Sequence, residues 1–405
     1  MSTKSRKIYL DNASTTPLDP AVFKAMKPFL MEDFGNPSSI TAGGVKAKQA
    51  VGKARKSVAE LLRALPDEIT FTSGGTESNN LAIFGLVRNL ESHGLPISKM
   101  HFIATNIEHS SVLEPMRELV KRGAKVDFVP VESSGIVDAQ KIKKALKPNT
   151  VLVSVMSANN EIGTIQPIRE ISKMLRHFRK TTHYSLPTTH LKSVRPIFHS
   201  DASQAPNYLE LNVEKLGVDL LTLDAHKMYG PKGVGALYVK RGTTLSPIIF
   251  GGGQERGLRS TTENVAGIVG LAKAFEIASH LRINESLRLS RLRDYFYSLI
   301  RANGGIVESE KVILNGDLEN RLPNNLNISL PGVDTEFLVL QLDNAGITVS
   351  TKSSCLRDES DSYVVKALGG DRKRAKTSVR FSLGRDTRKA DLDQTAKILK
   401  NLLQS

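Results

Sequence analysis

The sequence predicts an α/β protein, with a large domain built on a largely parallel sheet and a smaller α+β domain. Its 405 residues are long for one domain and sufficient for two. Strand-like and helix-like segments alternate from about residue 68 to 240, a pattern typical of parallel strands connected by helices. After residue 265 long helical segments and a few isolated strands follow. We therefore assign residues 16–265 to the large domain, and residues 1–15 with 266–405 to the small one.

The elements of the large domain follow from local composition and periodicity. In segment 77–91, Leu81, Phe84 and Val87 recur on one helical face, and segment 111–122 is also predicted to be helical. Short runs of β-branched and apolar residues predict the strands, at 68–73, 101–105, 125–131, 151–156, 197–200, 218–223 and 234–239. Residues 181–196 have no clear periodicity and are predicted to be a basic surface loop or insertion.

The small domain is predicted from fewer elements. A long helical stretch begins after Thr262, and the chain ends in a helix that continues through Leu402. The remaining elements are strands at 327–330, 347–350 and 378–383 and a helix at 335–344.

Composition excludes several classes of protein. Cys355 is the only cysteine, which excludes a disulfide framework within the chain and a cysteine-based zinc site, and favours a reducing, cytoplasmic location. No apolar run approaches the length of a membrane span, and no secretory signal is expected. The net charge of +15 would suit nucleic acid or an acidic protein partner. Because no aromatic ladder or zinc-finger spacing accompanies the basic clusters, we interpret them as solvated surface and consider nucleic-acid binding unlikely.

A candidate anion site follows the first predicted strand of the sheet. Gly74, Gly75 and Thr76 connect this strand to a helix. The two glycines allow close approach of the backbone, and the first amides of a helix are free donors at the positive end of its dipole. The segment is not a P-loop, because no Gly-Lys-Ser/Thr sequence follows. Ordinary turn chemistry is the alternative interpretation.

A lysine and an aspartate follow two other strands. Lys227 comes at the end of an apolar strand, where α/β enzymes bind ligands, and a desolvated lysine there can react with an aldehyde. Asp201 follows the strand that precedes the strand of Lys227. Pyridoxal 5′-phosphate (PLP) requires a carboxylate at its pyridine nitrogen. An exposed loop lysine and a capping aspartate are the alternatives.

A set of motifs covers nearly the whole chain. They are YLDNASTTP (9–17), FGNPS (34–38), FTSGGTESNN (71–80), EH (108–109), NNEIG (159–163), HSDASQ (199–204), HKMYGPKG (226–233), GGGQERGLRSTTEN (251–264) and RFSLGR (380–385). In these residues the chain resembles the cysteine desulfurases of the NifS/IscS class. The resemblance implies the PLP-dependent transferase fold of type I, with a mostly parallel seven-stranded sheet.

The resemblance also implies roles for individual residues. Lys227 would carry PLP covalently and move the α-proton of the substrate, Asp201 would pair with the pyridine nitrogen, and Gln204 would contact the ring oxygen. His109 would stack on the ring and assist proton transfer. The other implied contacts are Gly75, Thr76, Asp224 and His226 for the phosphate, Thr262 of the second subunit of a homodimer for the same phosphate, and Asn159 and Arg380 for the substrate carboxylate, with Asn159 also near the cofactor. Without the resemblance, His109 could simply cap a helix and Arg380 could form a surface ion pair.

Cys355 is the candidate sulfur acceptor. It lies in a polar segment, predicted to be a mobile loop, where Lys352 and Arg357 favour the reactive thiolate. The resemblance implies that L-cysteine is converted to L-alanine and that the sulfur leaves as a persulfide of Cys355. An acceptor, such as an iron–sulfur scaffold, would use it for cluster assembly or tRNA thiolation. The alternatives are a related PLP-dependent lyase or aminotransferase, such as a selenocysteine lyase, that does not use Cys355, and a scaffold that has lost PLP.

Three positions depart from the usual pattern of the resembled family. Asp224 stands where a phosphate-binding serine is usual, and a carboxylate repels a phosphate dianion unless it is protonated or turned away. Thr261 replaces a glycine before Thr262, and Lys352 and Ser354 alter the surroundings of the cysteine. We expect these changes to affect PLP affinity and turnover rather than the class of reaction.

Overall fold

The computed structural model describes residues 6–182, 195–301, 312–351, 361–369 and 371–404. The strands in these ranges are β1 (Ile8–Tyr9), β2 (Ile69–Thr72), β3 (His101–Thr105), β4 (Lys125–Val129), β5 (Thr150–Ser154), β6 (Ile197–Asp201), β7 (Leu220–Asp224), β8 (Gly235–Val239), β9 (Ile313–Leu314), β10 (Asn325–Ser329), β11 (Ile347–Thr348) and β12 (Ser378–Ser382). The helices are α1 (Pro20–Met31), α2 (Ala42–Leu62), α3 (Gly75–Ser92), α4 (Ser110–Lys121), α5 (Ala139–Ala145), α6 (Ile168–Thr181), α7 (Val213–Leu216), α8 (Val265–Arg301), α9 (Thr335–Asn344), α10 (Tyr363–Ala367), α11 (Arg372–Lys376) and α12 (Lys389–Gln404).

The central sheet confirms the predicted α/β class. Among the described residues it has seven strands in the order β2-β8-β7-β6-β5-β3-β4. Every neighbouring pair is parallel except those of β8, which runs antiparallel to β2 and β7. Strands such as β5 and β7 are buried at every residue, as expected when helices cover both faces of a parallel sheet. Their carboxyl ends therefore meet at one edge of the sheet.

The two faces of the sheet carry separate apolar cores. Side chains alternate between the faces of a strand, so Phe102 and Ala104 of β3 enter one core and Ile103 enters the other. Helices α3 and α4 cover the first face, and α1, α2, α6 and the beginning of α8 cover the second. The sequence did not predict α1, α2, α5 or α6.

A third core lies around a smaller sheet, in which β10 pairs with both β9 and β12. Phe296 of α8 packs edge-to-face on Phe381 of β12, with their ring centroids 5.1 Å apart. Helix α8 is continuous over 37 residues and joins the cores, since Ala278 belongs to the large one and Leu289 to the third. The change of core thus falls within α8, later than residue 265. The domain boundaries near residues 15 and 265 stay a prediction.

The N-terminal segment connects the third core to the central sheet. Strand β1 pairs in parallel with β11, and the Asn12 amide then donates to the carbonyl of Ser382 in β12. Four residues later, the Thr16 amide donates to the carbonyl of His226, which follows β7. Residues 12–16 therefore lie along the carboxyl edge of the central sheet. None of the described helices combines the length and apolar character needed to cross a bilayer.

Elements that were predicted differ from the observed ones mainly at their ends. Helix α3 begins at Gly75, two residues before the predicted start, because Gly75 and Thr76 already belong to the first helical turn. The predicted insertion at 181–196 begins where α6 ends, at Thr181, but residues 183–194 lie outside the described ranges.

Candidate active site

A cavity of about 170 Å³ lies at the carboxyl edge of the central sheet. It brings together most of the site residues that the sequence predicted. These are Gly75, Thr76, His109, Asp201, Gln204, Asp224, His226, Lys227 and Arg380. Asn159 and Thr262 do not line it. Cys355, with the neighbouring Lys352, Ser354 and Arg357, lies outside the described residues.

Lys227 reaches the cavity from the turn that follows β7. Its amine donates hydrogen bonds to the backbone carbonyls of Ala13, at 3.0 Å, and of Ser14, at 2.6 Å. Gln204 donates to the same Ala13 carbonyl at 2.9 Å. The N-terminal segment therefore orients the lysine amine within the cavity.

A strained turn fixes the backbone around Lys227. Two residues later, Tyr229 has a φ of 64°, which is unfavourable for a residue with a side chain. Its amide donates to Thr16 Oγ1 at 2.7 Å, and its hydroxyl accepts from the Arg385 amide at 2.8 Å. At Gly230 a Cβ would lie 2.8 Å from the Ala225 carbonyl oxygen, so the turn admits only glycine there. These contacts hold the turn closed and keep Lys227 aimed at the cavity.

Asp201, at the end of β6, is held by three donors. Its Oδ1 accepts from the Ser203 amide at 2.9 Å and from the Ser203 hydroxyl at 2.6 Å. Its Oδ2 accepts from Asn79 Nδ2 at 2.8 Å. Because the side chain is buried and donors bond both of its oxygens, the carboxyl group has a fixed orientation at the cavity.

Two buried titratable groups lie close to Asp201 without lining the cavity. Burial, and to a lesser extent the charge of Asp201, raises the pKa of Glu108 to about 8, although Thr105 and the Met156 amide donate to it. Burial lowers the pKa of His199 to about 4. Glu108 is therefore mostly protonated and His199 neutral near pH 7.

His109 both lines the cavity and caps a helix. Its Nδ1 accepts from the Ser111 amide at 3.2 Å and lies 2.8 Å from the Ser111 hydroxyl, at the N-terminus of α4. The capping role that the sequence left as an alternative is thus present. It is compatible with a ligand-facing role because the cap uses only one ring nitrogen.

Arg380 is a buried arginine on the cavity wall, not a surface residue. Its guanidinium donates to the carbonyl of Asn160 at 2.9 Å, to Asp11 Oδ1 at 2.7 Å and to Ser14 Oγ at 2.7 Å. Among the described residues, neither Arg380 Nε nor the nearby Asn160 Oδ1 has a hydrogen-bond partner. Buried polar atoms without a hydrogen-bond partner destabilise the folded state unless a ligand or a water molecule pairs with them.

The structure places Asn160, not Asn159, at the cavity. The Asn159 side chain is fully buried, where it donates to the Ile107 carbonyl and accepts from the amides of Glu161 and Ile162. These bonds close a tight turn and leave the side chain unable to reach a ligand. The predicted role of Asn159 is therefore corrected to a structural one in this conformation.

The anion site begins at the N-terminus of α3. The Gly75 amide points into the cavity region, but it donates to Asp224 Oδ2 at 2.8 Å. His226 Nε2 lies 3.5 Å from the same oxygen, and the Asp224 Oδ1 accepts from the His226 amide at 3.3 Å. Thr76 lines the cavity beside them.

The loop before α8 lies away from this cavity. Thr262 is exposed there, which is compatible with a role in the site of a second subunit. Thr261 has no positive φ, so the backbone at this position does not require the glycine that is usual in the resembled family.

Several residues of the cavity were not predicted. They are Ala13, Ser14, Ser111, Met156, Ala158, Asn160 and Ser203, together with Asn79 behind the wall. Asn79 had a detectable signal, because it lies four residues after Gly75 and so on the same face of α3. Ser14 had none, since it reaches the site only through long-range contacts.

Comparison with known proteins assigns the family. Residues 8–395 match the family described as Aminotransferase class-V. The chain therefore belongs to the class V aminotransferases, whose members include the PLP-dependent cysteine desulfurases.

Within this family the similar proteins are cysteine desulfurases. The cysteine desulfurase IscS of Dictyoglomus turgidum is 45% identical over 98% of this chain and 95% of its own length. The cysteine desulfurase IscS 1 of Archaeoglobus fulgidus is 41% identical over 98% of this chain and 97% of its own. A solved NifS-like protein aligns with a TM-score of 0.87 and 36% identity, over 98% of this chain and 99% of its own.

Proposed function

We propose that the chain is a PLP-dependent cysteine desulfurase that transfers the sulfur of L-cysteine to Cys355. The observation that carries the proposal is the convergence of Lys227, Asp201 and Arg380 on one cavity, with Ser14 contacting both cations. An amine for an aldehyde, a carboxylate for a pyridinium and a guanidinium for a carboxylate are the groups that an amino-acid substrate with PLP requires.

The cavity residues fit PLP at both ends of its ring. Lys227 presents its amine, and Asp201 presents a carboxylate held by three donors. Gly75 also fits, because a Cβ there would lie 3.0 Å from Ser203 Oγ and 3.1 Å from Asp224 Oδ2, so any side chain would fill the space. Bound there, PLP supplies an electron sink that acidifies the α-hydrogen of an amino acid.

The residues of this chain would hold the cofactor and direct the protons. Lys227 would hold PLP through its amine, which now donates to the carbonyls of Ala13 and Ser14, and would serve as the base for the α-proton. Asp201 would keep the pyridine nitrogen protonated, and Gln204 would contact the ring oxygen. His109, which lines the cavity, would contact the ring and assist proton transfer. Contacts with the phosphate are assigned to Gly75, Thr76, His226 and Thr262 of a second subunit.

The substrate carboxylate would bind on the opposite side of Ser14 from Lys227. Arg380 Nε, a donor, and Asn160 Oδ1, an acceptor, are two of the buried polar atoms without partners among the described residues, and of these two only the donor can bond a carboxylate. The guanidinium binds the carboxylate through charge-assisted hydrogen bonds, which orient the α-carbon toward the lysine. Asn160 replaces Asn159 in this proposal, because only Asn160 lines the cavity.

The sulfur step conserves atoms and electrons without an external oxidant. The Cys355 thiolate attacks the sulfur of the substrate, so that an S–S bond forms and the C–S bond breaks. The electron pair of the broken bond stays on the substrate β-carbon, which takes up a proton to give L-alanine. The enzyme keeps a Cys355 persulfide, whose outer sulfur an acceptor protein then receives for iron–sulfur cluster assembly or tRNA thiolation, leaving the Cys355 thiolate. The single cysteine supports a reducing compartment such as the cytoplasm.

We also propose that the chain is a homodimer. Phe34 is 79% exposed, Ile40 97% and Phe250 69%, which is unusual for large apolar side chains that remain in water. Sedimentation equilibrium should show a dimer. The variants I40D and F250D should dissociate it, whereas E114K, at an exposed charged residue of α4, should not. A monomeric native chain would contradict the proposal.

The absorbance spectrum of the purified chain with PLP tests the function. A visible band is expected, which L-cysteine changes and K227A removes, while K232A, an exposed lysine of the same loop, keeps it. C355A should keep the band but produce neither persulfide nor sulfide from L-cysteine. Full sulfide production by C355A would favour a lyase that does not use this thiol, and a chain without any band would refute the proposal.

A further inference from the structure

The anion-binding amide of this chain is already paired with an internal carboxylate. The Gly75 amide, the first of α3, donates to Asp224 Oδ2 at 2.8 Å. Amides at this position have no partner within their helix and stabilise negative charge. In this structure Asp224 supplies that charge from the end of β7.

The backbone holds Asp224 in this position. Asp224 pairs with Gly235 of β8, and β8 also pairs with β2, whose end leads to Gly74. The ends of strands β2, β7 and β8 approach so closely that a Cβ on Gly235 would lie 2.7 Å from the Gly74 Cα. The side chain of Asp224 therefore projects directly beneath the loop that opens α3.

Asp224 is held in its charged form. It is 8% exposed, and burial alone would raise the pKa of its carboxyl group. The hydrogen bond and the charge of His226, the Gly75 amide and the charge of Lys227 more than offset burial, and the pKa lies below its ordinary value. These are the charged and polar groups that face the carboxylate from α3 and from the turn after β7.

We propose that Asp224 is the resident anion of the phosphate site, and that a phosphate binds the Gly75 amide only after this carboxylate has been displaced. The identity of the phosphate as that of PLP rests on the proposed function, whereas the competition does not. Two anions at one amide repel each other, and His226 cannot neutralise both. The site should therefore bind phosphate weakly and distinguish PLP poorly from pyridoxal, which has the aldehyde but no phosphate.

Titration with inorganic phosphate tests the competition directly. The full-length chain, freed of aldehyde, should bind phosphate at least about tenfold more tightly as D224S or D224N than as the native protein. D224S frees the Gly75 amide and removes the charge, and D224N removes the charge with nearly the same shape. The control D67N makes the same charge change at the exposed start of β2 and should leave phosphate affinity unchanged. Equal phosphate affinity of the native chain and both variants would overturn the inference.

Titration with PLP and with pyridoxal extends the test to the cofactor. The native chain should bind PLP less than about tenfold more tightly than pyridoxal, and D224S should increase this ratio at least about tenfold without changing pyridoxal affinity. A native ratio already in the thousands would contradict the inference even if both variants fail to fold. If neither aldehyde reacts with Lys227, the proposed function fails, and the phosphate titration still decides the role of Asp224.

Discussion

The amine of Lys227 lies 2.6 Å from the backbone carbonyl oxygen of Ser14. The hydroxyl of the same serine accepts from Arg380 at 2.7 Å. One residue of the N-terminal segment thus contacts, through two different groups, the lysine proposed to hold the cofactor and the arginine proposed to hold the substrate.

The two groups of Ser14 can be separated by mutation. S14A removes the hydroxyl but keeps the carbonyl, so it should weaken the orientation of Arg380 and leave Lys227 in place. Loss of one charge-assisted hydrogen bond predicts a rise of about tenfold in the KM for L-cysteine, with the visible absorbance band unchanged. Steady-state kinetics and the spectrum measure both quantities. S92A, at an exposed serine near the end of α3, serves as the control, and a KM unchanged in S14A would refute the role of the hydroxyl.

The geometry of the Arg380 guanidinium should matter more than its charge. R380K keeps one positive charge but loses the planar fork that bonds Ser14, Asp11 and Asn160. We expect the KM for L-cysteine to rise by about tenfold or more, and PLP binding to persist. R117K, which changes an exposed arginine of α4 that does not line the cavity, should leave the KM unchanged. Equal effects of the two variants would show that Arg380 acts only through stability.

Glu108 should make the stability of the native chain depend on pH. The pKa of Glu108 is about 8 in the folded chain and about 4.5 when exposed. Its contribution to the free energy of unfolding is therefore complete below pH 4.5 and is lost as the pH rises toward 8. The slope is up to about 1 kcal/mol per pH unit. E108Q stays neutral at every pH. The free energy of unfolding of E108Q minus that of the native chain should therefore increase from pH 5 to pH 8 and then level off.

Denaturant unfolding of both proteins at several pH values measures this dependence. E114Q changes an exposed glutamate of the adjacent helix and should follow the native curve. Parallel curves for E108Q and the native chain across this pH range would mean that Glu108 is charged in the folded state.

Asn79 should stabilise the fold through Asp201. N79A removes the donors to Asp201 Oδ2 and to Ser111 Oγ, each at 2.8 Å, and should cost about 1.5–3 kcal/mol in the free energy of unfolding. N80A, next to it on α3, removes only an exposed bond to the Thr76 carbonyl and should cost less than about 1 kcal/mol. Chemical denaturation compares them, and equal losses would argue against a special role for the Asp201 contact.

The sequence predicted the parts of the site that depend on strand ends. Lys227 and Asp201 each follow a strand of a parallel sheet, and such strands end at a common edge, so their meeting could be expected. Ser14 could not be predicted in this way, because its partners Lys227 and Arg380 lie 213 and 366 residues away. Its position depends on the packing of the N-terminal segment across two cores.

The choice between two adjacent asparagines was also beyond sequence reasoning. Asn159 and Asn160 have the same side chain, and a local turn decides which one faces the cavity. In this turn the Gly163 amide donates to the Asn159 carbonyl, and the Asn159 amide donates to the Thr164 carbonyl. Helix α2 was missed for another reason, since its many alanine, glycine and lysine residues give a weak apolar periodicity.

The contact between Ser14 and Arg380 has a consequence for biosynthesis. During translation the segment around Ser14 emerges first, and β12 follows only after the intervening 366 residues, which takes on the order of tens of seconds. A nascent chain can form much of the central sheet in that time but cannot yet assemble the substrate pocket. Binding of the amino-acid substrate must then await synthesis of β12, and chains terminated before residue 380 should be inert toward L-cysteine.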